Sequence, residues 1–173
     1  MKKNRWAIIL PLLCTLLVSA SCAQNLQRCE VVFWVHAGLP NAIFFQISGN
    51  GEITPMIGDA DVITCNIVEI NYKSEPYSPS KEEKEKICEY LKEIKKIKFT
   101  DDRYSGIKDG PVVKVSYLGR KHITDYIVRD LDGSFYQGIE YQEGHQVIND
   151  FLNYLLDITH FMTEYEEYVY PDK

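Results

Sequence analysis

The chain lacks the short signatures that usually mark chemistry in a sequence. It has no Cys-x-x-Cys pair, so neither a dithiol redox motif nor a thiolate zinc site is written into it. It has no His-Glu-x-x-His, and its four histidines, His36, His122, His145 and His160, are scattered. No Gly-x-Ser-x-Gly marks a nucleophile elbow. The turn Gly49-Asn50-Gly51 has no Lys-Ser or Lys-Thr after it and opens a strand rather than a helix, which excludes a phosphate cradle. Asp130-Leu131-Asp132-Gly133 begins like a calcium loop but has neither the later ligands nor the closing glutamate, so it reads as a turn. Positive charge is also short, with 19 Lys and Arg against 25 Asp and Glu and a formal net charge of −6. Lysines gather between Lys81 and Lys98, but glutamates interleave them, which makes a solvated helix face. A nucleic-acid partner is excluded on that balance, because phosphate contacts need clustered cations. No metal, cofactor or catalytic residue is implied by any of these stretches.

What the sequence does have begins at its start. Lys2, Lys3 and Arg5 precede an almost wholly apolar run from Trp6 to Val18, followed by small residues. The run is too short to span a bilayer, which takes roughly 20 residues. A basic start, a short apolar stretch and small residues after it read as an export signal. Within it, Ser19-Ala20-Ser21-Cys22 resembles the lipobox of bacterial lipoproteins. Ala20 and Ser21 carry the resemblance, while Ser19 stands where that family prefers leucine. The resemblance implies that Cys22 is the lipid-bearing first residue of the mature chain, hence a membrane anchor and a place in the cell envelope. It covers the leader alone. A cut after Ala23, at the small-x-small step Ser21-Cys22-Ala23, is the alternative and implies plain secretion to the periplasm or outer surface.

The remainder divides into a short tether over residues 23–29, one α+β domain over 30–162 and an acidic, tyrosine-rich tail over 163–173. Loss of Lys2, Lys3 and Arg5 with a leader of residues 1–22 takes the formal charge from −6 to −9. Glu30 to His36 is rich in β-branched and aromatic residues and predicts a buried strand. Ile43–Ser48 and Glu52–Ile57 flank Gly49-Asn50-Gly51 as a hairpin, with Pro55 predicting an edge position. Val68, Ile70 and Tyr72 alternate with polar residues, the period of a half-buried strand. Ser80-Lys81-Glu82-Glu83 fits a capping box, and a helix is expected from about Pro79 or Ser80 to Lys98, with Ile87, Leu91, Ile94 and Lys98 on one face and Cys88 and Ile97 beside it. Residues 100–111 read as a polar loop, and strand arms at 113–117 and 122–128 join through Leu118-Gly119-Arg120-Lys121. Residues 134–141 predict a further extended stretch, and a last helix covers about Glu143 to His160. The expected architecture is α+β: two layers, an antiparallel sheet with two amphipathic helices packed on one face.

Candidate chemistry is thin. His160 and Glu164 are four apart and could share a helix face. His145 reads as an exposed helix-terminus residue, and His36 and His122 as ordinary strand positions. Cys29, Cys65 and Cys88 remain after the leader; a Cys29–Cys65 bridge is permitted in an exported chain, buried free thiols being the alternative. The leading expectation is a non-catalytic binding or accessory domain of the envelope, anchored through Cys22. The alternatives are a small periplasmic enzyme whose site converges from His36, His122 and the acids of the 100–110 loop, and an inhibitor or immunity-like partner protein.

Overall fold

The computed structural model describes residues 26–34, 42–61, 63–103, 110–126 and 143–171. The leader, Cys22, His36 and the expected stretches at 130–133 and 134–141 lie outside the described residues. Within them, β1 (Cys29–Trp34), β2 (Ala42–Ile47), β3 (Ile53–Ala60) and β4 (Ile67–Lys73) are followed by helix α1 (Lys81–Ile94). Then come β5 (Asp101–Asp102), β6 (Val112–Tyr117), β7 (Arg120–Asp125), α2 (Glu143–Thr159) and α3 (Phe161–Val169). The class is α+β. One sheet runs β4-β3-β2-β1-β6-β7-β5, antiparallel throughout except where β5 lies parallel to β7.

β1 sits mid-sheet, pairing with β2 on one side and β6 on the other, with Cys29 opposite both Ile47 and Tyr117. That position accounts for its nearly unbroken apolar run, since both faces are covered. By alternation, Cys29, Val31 and Phe33 join Ile43, Phe45, Ile47, Ile53, Ile57, Val113 and Val115 in one cluster with residues of all three helices. Val32, Trp34, Phe44, Met56, Val112 and Ile123 form a second cluster from the other set of positions. Each fully buried side chain of this size contributes about 1.5–3 kcal/mol.

α1 begins where the capping box predicts: the Glu83 amide donates to Ser80 Oγ at 3.2 Å and the Ser80 amide to Glu83 Oε2 at 2.7 Å. Its buried stripe is Ile87, Cys88, Leu91 and Ile94. The β6–β7 hairpin turns on Leu118 and Gly119 at φ 54° and 75°, the conformation of a tight two-residue turn.

Several expectations need correction. Pro55 lies on β3, which is not an edge because β4 pairs outside it. The Pro55 carbonyl accepts the Ser74 amide at 3.0 Å beside the end of the β4 ladder, so the missing N–H falls where no ladder bond is required. The alternation of β4 does not mark a buried face. Val68 is 70% and Ile70 48% exposed, because β4 is an edge strand with register shifts opposite Ile57/Gly58 and Asp59/Ala60. The segment read as a tether is fixed from Leu26 onward, three residues before β1: Leu26 is 4% exposed and belongs to the main cluster. The segment read as an exposed tail is helical through Val169, with Phe161 and Tyr165 in the core. A third helix thus joins the two expected. The loop at 100–111 contributes the two-residue strand β5.

Candidate functional site

The C-terminal end of α1 is where polar chemistry gathers. After Ile94 the helix tightens, with the Lys96 and Ile97 amides donating to Glu93 and Ile94 carbonyls at 2.9 and 3.1 Å. Ile97 turns into the core, and residues 97–100 then run beside β7. The Ile123 amide donates to the Thr100 carbonyl at 3.0 Å, and Nδ1 of His122 bonds the Phe99 carbonyl. A carbonyl only accepts, so Nδ1 of His122 is the donor in this bond.

Phe99 stands between two imidazoles, edge-on to His122 at 5.8 Å and to His145 at 4.8 Å between ring centroids. His145 lies in the first turn of α2, buried rather than exposed, and its Nε2 meets Asp102 Oδ2 at 2.9 Å. The bond ties α2 to the edge strand β5. Gly144 makes the approach possible, since a Cβ there would lie 2.6 Å from the Phe99 ring.

Two concavities flank this segment. A cleft of about 430 Å³ is lined by Glu93, Lys96, Ile97, Lys98, Phe99, Glu143, Gly144 and Val147. A pocket of about 170 Å³ is lined by Ile94, Lys95, Tyr117, Leu118, Arg120 and His122. Arg120 Nη1 donates to the Lys95 carbonyl at 3.3 Å, joining the hairpin to the helix end. Lys96 is held by Glu93 at 2.6 Å.

A second polar feature lies among the residues of the other cluster. Lys114, 4% exposed, donates from Nζ to the Cys65 carbonyl at 2.5 Å and to Asn66 Oδ1 at 2.9 Å. Burial pushes its pKa below the usual lysine value, with nearby Lys121 acting in the same direction. The loop it holds is closed by Asp61, whose Oδ1 accepts from the Thr64 amide and hydroxyl, both at 2.7 Å. Cys65 adopts φ 49° there. Beside it, Asp101 takes Arg103 in two bonds of 2.8 and 2.6 Å.

Of the residues weighed in the sequence, His122 and Asp102 come together around Phe99. His145 is a third member that the sequence reading had set aside. His160 and Glu164 do not form a pair on one helix: α2 ends at Thr159, His160 takes φ 53°, and Glu164 accepts from Tyr72 at 3.1 Å. Cys29, Cys65 and Cys88 are buried, and none of them forms a disulfide among the described residues. Cys29 belongs to the main cluster and Cys65 to the other, so a Cys29–Cys65 bridge does not form. No group of three or more His, Cys, Asp or Glu among the described residues is arranged to hold a metal ion. No described helix is long and apolar enough to cross a membrane.

Two features escaped the sequence reading for different reasons. Lys114 had a signal, a lone cation inside the apolar run Val112–Val115. The His145–Asp102 bond had none, because it joins an edge strand to a helix forty-three positions away in the chain. No family model, curated protein or solved structure matches this chain.

Proposed function

We propose that the chain is an exported, lipid-anchored protein of the cell envelope whose folded part is a binding or accessory domain. The leader supports the address, with its basic start, apolar run and lipobox-like Ser19-Ala20-Ser21-Cys22. The observation that carries the binding reading is the lining of the larger cleft. Its floor is Ile97, Phe99 and Val147, its polar groups are Glu93, Lys96, Lys98 and Glu143, and no hydroxyl, thiol or imidazole is among them. Its volume suits a small ligand with an apolar body and a charged end. His145 and Asp102 sit behind Phe99 and bond each other.

The His145–Asp102 bond favours one second reading, a small enzyme in which Asp102 orients the imidazole. Two measurements separate these readings. Mass spectrometry of the mature protein from the membrane fraction should find a lipid on Cys22, and Cys22→Ser should release the protein; an unmodified N-terminus at Gln24 removes the anchor. Screening against hydrolase substrates should give no turnover. Robust activity abolished by His145→Ala overturns the binding reading.

A further inference from the structure

The charge of this acidic chain is unevenly placed. Residues 94–99 read Ile-Lys-Lys-Ile-Lys-Phe and residues 117–122 read Tyr-Leu-Gly-Arg-Lys-His, five cations with no carboxylate in either stretch. The fold lays the two stretches side by side through Arg120 to the Lys95 carbonyl, His122 to the Phe99 carbonyl and Ile123 to the Thr100 carbonyl. Glu93 takes Lys96 at 2.6 Å, which leaves Lys95, Lys98, Arg120 and Lys121 as the net positive group. Leu118, 39% exposed, stands at the tip of the β6–β7 turn and lines one pocket with Lys95 and Arg120, while Lys98 borders the neighbouring cleft and Lys121 lies on the other face of β7. An exposed leucine flanked by Lys95 and Arg120, with two further cations at the same end of a chain of net charge −6, is the chemistry of an anionic interface.

The same end of the sheet is where the chain enters the domain. Cys29, the first residue of β1, pairs with Tyr117, the last residue of β6, immediately before that turn. Leu26 is already fixed in the core. Three residues, a span of four Cα steps, separate it from Cys22, so a lipid there would lie within about 14 Å of Leu26 at full extension. That maximum reach is a little under two Debye lengths at physiological salt, where one is about 8 Å, so charges at this end would be screened far less from a membrane surface than charges at the far end.

We propose that the end of the domain bearing Leu118, Lys95, Lys98, Arg120 and Lys121 docks on an anionic phospholipid surface. The orientation rests on the reading of Cys22 as the lipid site; the charge and the exposed leucine do not. Docking would hold the domain against the bilayer, and the small pocket beside Arg120 and Lys95 would receive a lipid phosphate between two cations.

The test uses the full chain carrying Cys22→Ser, in its secreted form, and two vesicle preparations: phosphatidylcholine alone, and phosphatidylcholine mixed with phosphatidylglycerol. The expected result is co-sedimentation with the anionic vesicles only, weakening steeply as salt rises. Lys95→Gln with Arg120→Gln should weaken it roughly tenfold or more. Leu118→Ser should weaken it without changing the salt dependence. Circular dichroism of each variant reports the fold, and Lys121→Gln provides an exposed single substitution with the same expected direction. Equal sedimentation with both vesicles, or anionic binding unchanged in the double variant, overturns the proposal. The mass of the wild-type N-terminus reads the anchor separately. An unmodified Gln24 with anionic binding intact removes the anchor and leaves docking, whereas a lipidated Cys22 without anionic preference removes docking alone.

Discussion

Gly58→Ala tests whether the edge of the sheet is set by a close approach of two backbones. A Cβ on Gly58 would lie 2.0 Å from the Glu69 carbonyl oxygen and 2.9 Å from the Ile70 Cα. Ordinary contact begins near 3.4 Å, so β4 would have to retreat by more than an ångström. Both obstacles are backbone atoms in a strand already irregular beside Gly58, and no rotamer change relieves them. Losing two or three ladder bonds costs about 1 kcal/mol each. Removing glycine from a strand returns about 0.5–1 kcal/mol. The net expectation is a loss of about 1–2.5 kcal/mol, and with it roughly 2–10 °C in Tm for a chain of this size. Urea unfolding gives the total. Amide exchange gives its location: β4 amides should lose protection while those of β1 and α1 keep theirs. Gly119→Ala is the control, because nothing lies within 4 Å of a Cβ there and only its φ of +75° resists. A Gly58→Ala protein as stable as wild type, with β4 still protected, would refute the steric account.

Two further outcomes are expected. The Glu83 carboxyl is held below its ordinary value chiefly by the Ser80 amide, with the Tyr77 hydroxyl and Ser80 side chain helping. Its stabilisation is therefore full above the ordinary value near 4.5 and lost as pH falls through the lowered one. Glu83→Gln keeps a capping partner for Ser80 but should flatten the fall in stability on acidification; an unchanged acid limb in urea titrations would contradict this. The second outcome concerns the thiols. Cys29, Cys65 and Cys88 should resist a thiol reagent in the native protein and react fully in denaturant. For Cys29 the resistance should persist at alkaline pH, since burial raises its pKa far above the ordinary thiol range. A native protein that labels quickly at Cys29 would show that β1 is not mid-sheet.

What could be read in the sequence was what is local. The capping box is a four-residue device, and Ser80 and Glu83 form it as spacing predicts. The stripe of Ile87, Leu91 and Ile94 repeats at helical period and is buried. α3 carried an equally local signal, apolar Phe161, Tyr165 and Val169 at intervals of four, hidden beneath the composition of an acidic, tyrosine-rich segment. What could not be read depends on distant partners. The alternation of Val68, Ile70 and Tyr72 has the period of a buried face, yet burial requires a covering layer, and β4 lies at the sheet's edge. His145 and Asp102 carry no spacing rule that links them, and their bond exists only because Gly144 lets α2 approach Phe99.

The central place of β1 also sets an order of assembly. β2, β3 and β4 follow one another and pair as hairpins, so that half of the sheet can form as the chain emerges. β1 joins β2 early, but its other edge waits for β6, and Cys29 meets Tyr117 only after α1 and β5 have been made. Until then a strand apolar at five of its six positions has one open side and the core one missing wall. On the export reading proposed above, the chain would meet this interval on every passage across the membrane, since closing the sheet early would require a strand still on the far side. The arrangement keeps the protein from locking before most of its length has arrived, and it makes that interval the moment when an unoccupied β1 edge is most exposed to another chain.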